Sequence, residues 1–273
     1  MNPEAPGIWK AAALGWCDTG DVLRKLPVLT FVALLIALAF ELVVIYIPNA
    51  VWTHVPVILL FAGWLATRPF LLTPYLIAVH RFIILGETTA IYRLVPTDKR
   101  FQRYFVWSLV PAAMIPTTGR LIHLISLDIS LPSVISTIAA VVALAVMAVV
   151  AARIITLFPA VAVDAPGASW SRAIADSKGN TWRVFSTFLL AILSLAIAGI
   201  AVTGLAIFVI DSVIRQWMGR DAAAILTLAA ALAVWLAVIQ TIAATLAVAI
   251  ASRLYQWLGA SVKQPAVVDK KSG

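Results

Sequence analysis

The chain has 273 residues, of which 63% are hydrophobic and only 12% are charged, and its mean hydropathy is +1.02. A soluble domain carries about 25% charged residues, so the composition excludes a soluble enzyme, a disordered chain and a disulfide-stapled secreted domain. The formal net charge is +8. In a membrane protein this basic balance is typical of loops that face anionic lipid headgroups, and we expect no nucleic-acid partner.

Six apolar stretches are each long enough to cross a membrane as a helix, which requires roughly 20 residues. The first follows a segment without a cleavage-site pattern, so we expect an uncleaved first span rather than a signal peptide. In chain order the predicted spans are 27–47, 55–80, 104–124, 134–152, 184–210 and 222–251.

The predicted fold class is therefore all-α, a polytopic membrane helical bundle with six transmembrane helices. Its predicted parts are a cytoplasmic N-terminal interfacial segment (1–26), a six-span transmembrane domain (27–255) and a cytoplasmic tail (256–273). Continuous apolar runs of this length favour helices over the short alternating segments of a membrane barrel.

Lysine and arginine are concentrated on one side of the predicted spans. Sixteen of the 20 lie in four segments that share this side, namely 1–26, 81–103, 153–183 and 252–273. Because basic loops remain on the cytoplasmic side, both termini are predicted to be cytoplasmic. Tryptophan agrees with this orientation, since eight of the ten lie at or just beyond the ends of spans, where an indole prefers the headgroup layer.

Spans 2, 4 and 6 end alike, with an arginine followed by apolar residues and a helix-stopping glycine or proline. The three endings are 81–86, 153–159 and 253–259. A basic segment with interspersed apolar residues precedes each pair of spans, so the pattern favours three tandem units of an interfacial amphipathic helix and a transmembrane hairpin. The alternative is that arginine recurs at cytoplasmic helix ends in polytopic proteins without any repeat.

Two stretches resemble a type of bacterial membrane protein. Residues 153–183 read RIITLFPAVAVDAPGASWSRAIADSKGNTWR, and residues 80–87 read HRFIILGE. Both are similar to a pattern in uncharacterised six-span bacterial inner-membrane proteins, which are in turn similar to the membrane domain of some glycerophosphodiester phosphodiesterases. The resemblance implies a multi-pass protein of the bacterial inner (plasma) membrane, and neither stretch carries a catalytic signature.

Motifs that carry catalysis are missing from the sequence. It contains no Walker loop, no Gly-x-Gly-x-x-Gly, no His-Glu-x-x-His and no Gly-x-Ser-x-Gly. The histidines His54, His80 and His123 are far apart in sequence, and we expect them to contact solvent or lipid headgroups rather than a metal. The sequence therefore predicts a non-enzymatic protein without a cofactor or a metal site.

Charged residues inside the spans form the first candidate site. Glu41, Arg68 and Arg120 lie 14, 13 and 16 residues from the cytoplasmic ends of spans 1, 2 and 3, so they share a depth of roughly 20–24 Å. A charge at bilayer depth costs about 2.5–3.5 kcal/mol on insertion scales and normally finds a partner. Glu41 can neutralise one arginine, which leaves the other, with His123, to bind an anion or a lipid headgroup. The alternative is a structural ion pair beside an arginine that reaches the interface.

Basic residues on the predicted cytoplasmic side form the second candidate site, a surface for anionic lipid headgroups or a membrane protein partner. Its residues are Arg81, Arg93, Lys99, Arg100, Arg103, Arg172 and Arg183. The alternative is that these charges only determine topology. The sequence thus favours a role in lipid- or envelope-associated organisation or partner binding, with a transporter or permeation pathway for a small anion or anionic lipid as the alternative function.

Overall fold

The computed structural model describes residues 7–46, 57–112, 149–217 and 222–259, together with residues 142, 145 and 146. Throughout this part of the chain the regular structure is helical, and no strand occurs in it, as the composition predicts. Most of predicted spans 3 and 4 lies outside the described residues, as do Arg120 and His123.

The helices follow the apolar pattern of the sequence closely. They are α1 (Ile8–Lys25), α2 (Pro27–Tyr46), α3 (Val57–Leu85), α4 (99–112), α5 (149–154), α6 (Leu157–Ala162), α7 (Trp170–Ser177), α8 (Thr181–Trp217) and α9 (Ala222–Leu258). Predicted spans 1, 2, 5 and 6 correspond to α2, α3, α8 and α9. The helix α9 extends into the segment predicted as the cytoplasmic tail.

Three segments of these helices are long and apolar enough to cross a membrane, namely Leu65–Leu85, Thr181–Gly204 and Ala230–Leu258. The pair α1 and α2 satisfies the same test as one bent unit, with an angle of 99° between its two arms. The protein is therefore membrane-embedded and built from helices. The number of six spans stays a prediction, because predicted spans 3 and 4 are mostly outside the described residues.

Helix α1 lies where the sequence predicts an interfacial element ahead of the first span. It is far less apolar than α2 and buries one face only, which includes Ala12, Gly15 and Val22. Gly15 is needed for close approach to α9, since a methyl group there would lie 2.6 Å from Ile250 Cγ1. At Leu26 the chain turns, so that α1 lies across the bundle and α2 runs along it.

Helix α9 is the centre of the bundle. It contacts α1, α2, α3, α6 and α8. Alanines are fully buried where its neighbours come closest, as at Ala233, Ala237 and Ala249. Small side chains let helix backbones approach one another, which replaces the hydrophobic driving force that is missing between helices in lipid.

At the end that carries the basic segments, short elements form a second layer against the long helices. Helix α6 is buried between α3 and α9, and its residues Leu157 and Ala160 are fully inaccessible. They share an apolar cluster with Tyr104, Ala173 and Tyr255. This layer holds α4 and α7 against the bundle and thereby positions the basic residues described below.

The second interfacial helix expected from the repeat is absent from the structure. Residues 86–98, which we call the strap, contain no helix, and α4 begins only at residue 99. Gly86 begins the strap with φ +71°, a conformation that favours glycine. The prediction of a helix here was wrong, because Gly86 and Pro96 interrupt an apolar spacing that otherwise fits a helical period.

Candidate functional site

Polar side chains connect α3 to α9 at three successive levels. The contacts are Arg68 Nη2 to Gln240 Oε1, Tyr75 Oη to Thr245 Oγ1 at 2.5 Å, and His80 Nδ1 to Ser252 Oγ at 2.8 Å. Residue numbers rise together on the two helices, so α3 and α9 run parallel. This direction is the one expected for the second and sixth spans of a bundle whose spans alternate.

The first level brings together Glu41 and Arg68, two of the three charged residues predicted at one depth. The link between them is Gln240, which accepts a hydrogen bond from Arg68 and donates one from Nε2 to Glu41 Oε1 at 2.7 Å. One amide thus joins α2, α3 and α9. Within the described residues the charge of Arg68 is balanced by Glu41, so a spare cation for an anion depends on Arg120, which lies outside them.

The sequence does not single out Gln240 in the way that it singles out Glu41 and Arg68, because Gln240 carries no formal charge. An uncharged amide in an apolar stretch is a weaker signal, yet its two polar ends each require a partner in lipid. The same signal, a polar side chain in an apolar stretch, marks Thr245 and Ser252, whose hydroxyl groups accept hydrogen bonds from α3 at the second and third levels.

His80 lies in a polar network that joins three helices. Its Nδ1 contacts Ser252 on α9, its Nε2 lies 3.1 Å from Tyr104 Oη on α4, and the side chain is 1% exposed. The Ser252 hydroxyl donates its one proton to the carbonyl of Val248 at 2.9 Å. We therefore assign the proton of His80 to Nδ1, so that Nε2 accepts from Tyr104. The expectation that His80 contacts solvent or headgroups was wrong.

Several of the predicted surface arginines hold elements of the protein together. Arg81 forms two hydrogen bonds of 2.8 Å with Glu87 and donates to the carbonyl of Ala162. Arg100 pairs with Asp164, and this hydrogen-bonded carboxylate raises the pKa of Arg100.

The partner segment of Arg100 is the turn that follows α6. Asp164 adopts φ +53°, a left-handed conformation that aspartate tolerates better than most residues. Arg103 donates to the carbonyl of Ala168 at 2.8 Å, and the rings of Trp107 and Trp170 stack with centroids 5.3 Å apart. These contacts fix α4 to the segment between α6 and α7.

The remaining predicted surface residues are distributed over different elements. Arg93 is exposed on the strap and Lys99 begins α4, whereas Arg172 lies on α7 and Arg183 on α8. The seven basic residues are therefore spread over the strap and four helices, α3, α4, α7 and α8. Arg81, Arg93 and Arg100 do share one feature, a groove beneath the strap.

The strap groove has a volume of about 490 Å³ and lies between the strap, α3 and the first residues of α2 and α4. Tyr92 fastens the strap to α3 by donating to the carbonyl of Leu71 at 2.5 Å. The lining combines charged, hydroxyl and apolar side chains, including Arg93, Asp98, Thr88, Thr89, Leu29, Pro74, Ile77 and Ala78. This mixture suits a ligand that has both a polar head and an apolar part.

Comparison of the chain with models of protein families, with curated proteins and with solved structures finds no match. Among the described residues, no group of three or more histidine, cysteine, aspartate or glutamate side chains is arranged to hold a metal ion.

Proposed function

We propose that this chain is a non-enzymatic protein of the bacterial inner membrane, with six spans and both termini in the cytoplasm, that binds anionic lipid headgroups and contributes to lipid organisation. One observation carries the proposal. Three separate segments expose a large apolar side chain next to a basic one: Trp9 beside Lys10 on α1, Ile91 and Leu94 around Arg93 on the strap, and Trp182 beside Arg183 at the start of α8.

Such pairs match the chemistry of a membrane interface. The apolar side chain enters the boundary between headgroups and acyl chains, and the cation beside it meets lipid phosphate. Attraction to an anionic leaflet supplies about 1 kcal/mol for each lysine or arginine near the surface. Trp9 and Trp182 are 77% and 73% exposed, so their rings are accessible to lipid.

The test is the lipid composition around the protein. We expect particles extracted with their native lipid, without detergent, to contain more phosphatidylglycerol and cardiolipin than the bulk membrane, measured by mass spectrometry. A Lys10→Gln and Arg183→Gln double variant should reduce this enrichment. The matched Lys10→Arg and Arg183→Lys variant, which keeps both charges, should retain it. Anionic lipid at its bulk fraction around the unmodified chain would contradict the proposal.

A second candidate function, transport of a small anion, is suggested by Arg68, a guanidinium inside an apolar helix, and it requires Arg120 as a further cation because Glu41 balances Arg68. Uptake of radiolabelled phosphate into proteoliposomes tests it. The lipid-binding proposal expects the same uptake with and without the protein. Uptake that requires the protein and falls in the Arg68→Gln variant would establish transport instead.

A further inference from the structure

The charges that surround the strap groove are balanced, which distinguishes this groove from a general basic surface. Two of its arginines are engaged within the protein, Arg81 by Glu87 and Arg100 by Asp164. Among the described residues, Arg93 forms no ion pair. Asp98 uses Oδ1 to accept the backbone N–H of Arg100 at 2.9 Å, and its Oδ2 accepts no hydrogen bond from that part of the chain. Arg93 and Asp98 therefore line the groove without forming an ion pair with each other. Asp98 also lies near enough to Arg100 to add, after the larger effect of Asp164, to the raised pKa of that guanidinium.

The rest of the lining indicates what else the ligand contains. Pro74 and Ile77 on α3 are half-buried and offer an apolar wall, with the buried Leu29 and Ala78 behind it. Thr88 and Thr89 supply hydroxyl groups on the strap. The strap also exposes Ile91, which is 58% accessible, on the same segment. A ligand that fits these features has a negative group, a positive group and an alkyl part.

We infer that the strap groove binds one zwitterionic phospholipid of the phosphatidylethanolamine class, with its phosphate at Arg93, its ammonium at Asp98 and the start of an acyl chain against Pro74 and Ile77. A primary ammonium donates hydrogen bonds to a carboxylate, and a choline headgroup has no N–H to donate. An anionic headgroup would leave Asp98 facing a like charge. The inference concerns residues other than Lys10 and Arg183, on which the test of the proposed function depends.

The experiment is native mass spectrometry of the purified full chain with phosphatidylethanolamine, phosphatidylcholine and phosphatidylglycerol that carry identical acyl chains. We expect one tightly held phosphatidylethanolamine. Arg93→Gln should weaken its retention about fivefold, the upper end for an exposed ion pair. In the Asp98→Asn variant, asparagine can cap the start of α4 as well as aspartate does, so the helix should be unchanged. The loss of the carboxylate should abolish the preference for ethanolamine over choline.

Matched controls remove the same charges elsewhere. Lys178→Gln and Asp21→Asn alter exposed residues that do not line the groove, so both should retain the bound phosphatidylethanolamine. The inference is overturned if phosphatidylglycerol binds as tightly as phosphatidylethanolamine, or if Asp98→Asn leaves the ethanolamine preference intact. Competition by soluble glycerophosphoethanolamine as strong as that by the lipid would overturn the role of the acyl chain. None of these results decides whether anionic lipid is enriched around the protein, so the inference and the proposed function can fail independently.

Discussion

A single uncharged residue, Gln240, forms hydrogen bonds with both Arg68 and Glu41, two charged residues on otherwise apolar helices. Its amide has both a donor and an acceptor, so it receives the guanidinium of Arg68 and serves the carboxylate of Glu41 at once. A carboxylate or an ammonium at position 240 would satisfy only one of the two partners. The residue therefore determines how α2, α3 and α9 meet at this depth.

Replacing Gln240 tests this role. We expect Gln240→Leu to lower the free energy of unfolding by about 1–2 kcal/mol, the range for hydrogen bonds between helices in a membrane, because Arg68 and Glu41 lose their link. Thermal unfolding in detergent measures the change. Val234→Leu, at a half-exposed position on the same helix, is the matched control. Equal stability of the two variants would show that Gln240 contributes nothing specific.

The protonation of His80 can be observed directly. The proton of Ser252 is donated to the Val248 carbonyl, so His80 should be neutral, with its proton on Nδ1 and a bare Nε2. Solid-state NMR of chain labelled with ¹⁵N-histidine distinguishes the two nitrogens, and the His80→Gln variant identifies the signal. A signal from the Nε2–H tautomer or from a charged imidazolium would refute the assignment.

At the scale of elements, the parallel pair α3 and α9 is fastened by rungs rather than by a continuous hydrogen-bonded chain. The α9 partners of Arg68, Tyr75 and His80 are spaced by five and seven residues, which corresponds to roughly 7–11 Å along a helix. Such gaps are too long for one side chain to pass a proton directly to the next. The rungs instead specify how the two helices are aligned lengthwise.

Cross-linking checks this alignment. In a Cys17→Ser background, we expect the pairs Arg68→Cys with Gln240→Cys, and Ile83→Cys with Gln256→Cys, to be joined by a short bifunctional thiol reagent. The second pair lies where Gln256 Nε2 contacts the carbonyl of Ile83. The mismatched pair of cysteines at 68 and 256 should remain unlinked. Linking of the mismatched pair, or failure of both matched pairs, would contradict a parallel arrangement.

At the scale of the whole molecule, the predicted topology places the strap and its groove on the cytoplasmic side of the membrane. In the same Cys17→Ser background, a cysteine replacing Thr89 on the exposed strap should react with an impermeant maleimide only after the cytoplasmic face is opened. A cysteine replacing Thr53, in the predicted external link, should react in intact cells. Labelling of Thr89→Cys in intact cells would place the strap groove outside and refute the predicted orientation.

The sequence predicted well those features that depend on long apolar runs and on formal charge. It predicted α2, α3, α8 and α9 as helices, and it drew attention to Glu41 and Arg68. It did not predict Gln240 or Ser252, because an uncharged polar residue hardly changes the mean hydropathy of a span. It also misjudged the strap, where the spacing of Ile91, Leu94 and Val95 fits a helix while glycine and proline nearby prevent one. Pairings between residues about 170 positions apart require tertiary structure.

The central position of α9 has a consequence for how the protein is made. All five helices that α9 contacts precede it in the chain, so α1, α2 and α3 emerge from the ribosome before the helix that they contact most. The start of α9 lies 137 positions after the end of α3, and synthesis of this stretch takes roughly 7–27 s at ordinary rates of translation. During that time Arg68, Tyr75 and His80 lack their hydrogen-bond partners on α9. The contacts between α3 and α9 therefore form only after α9 has been inserted.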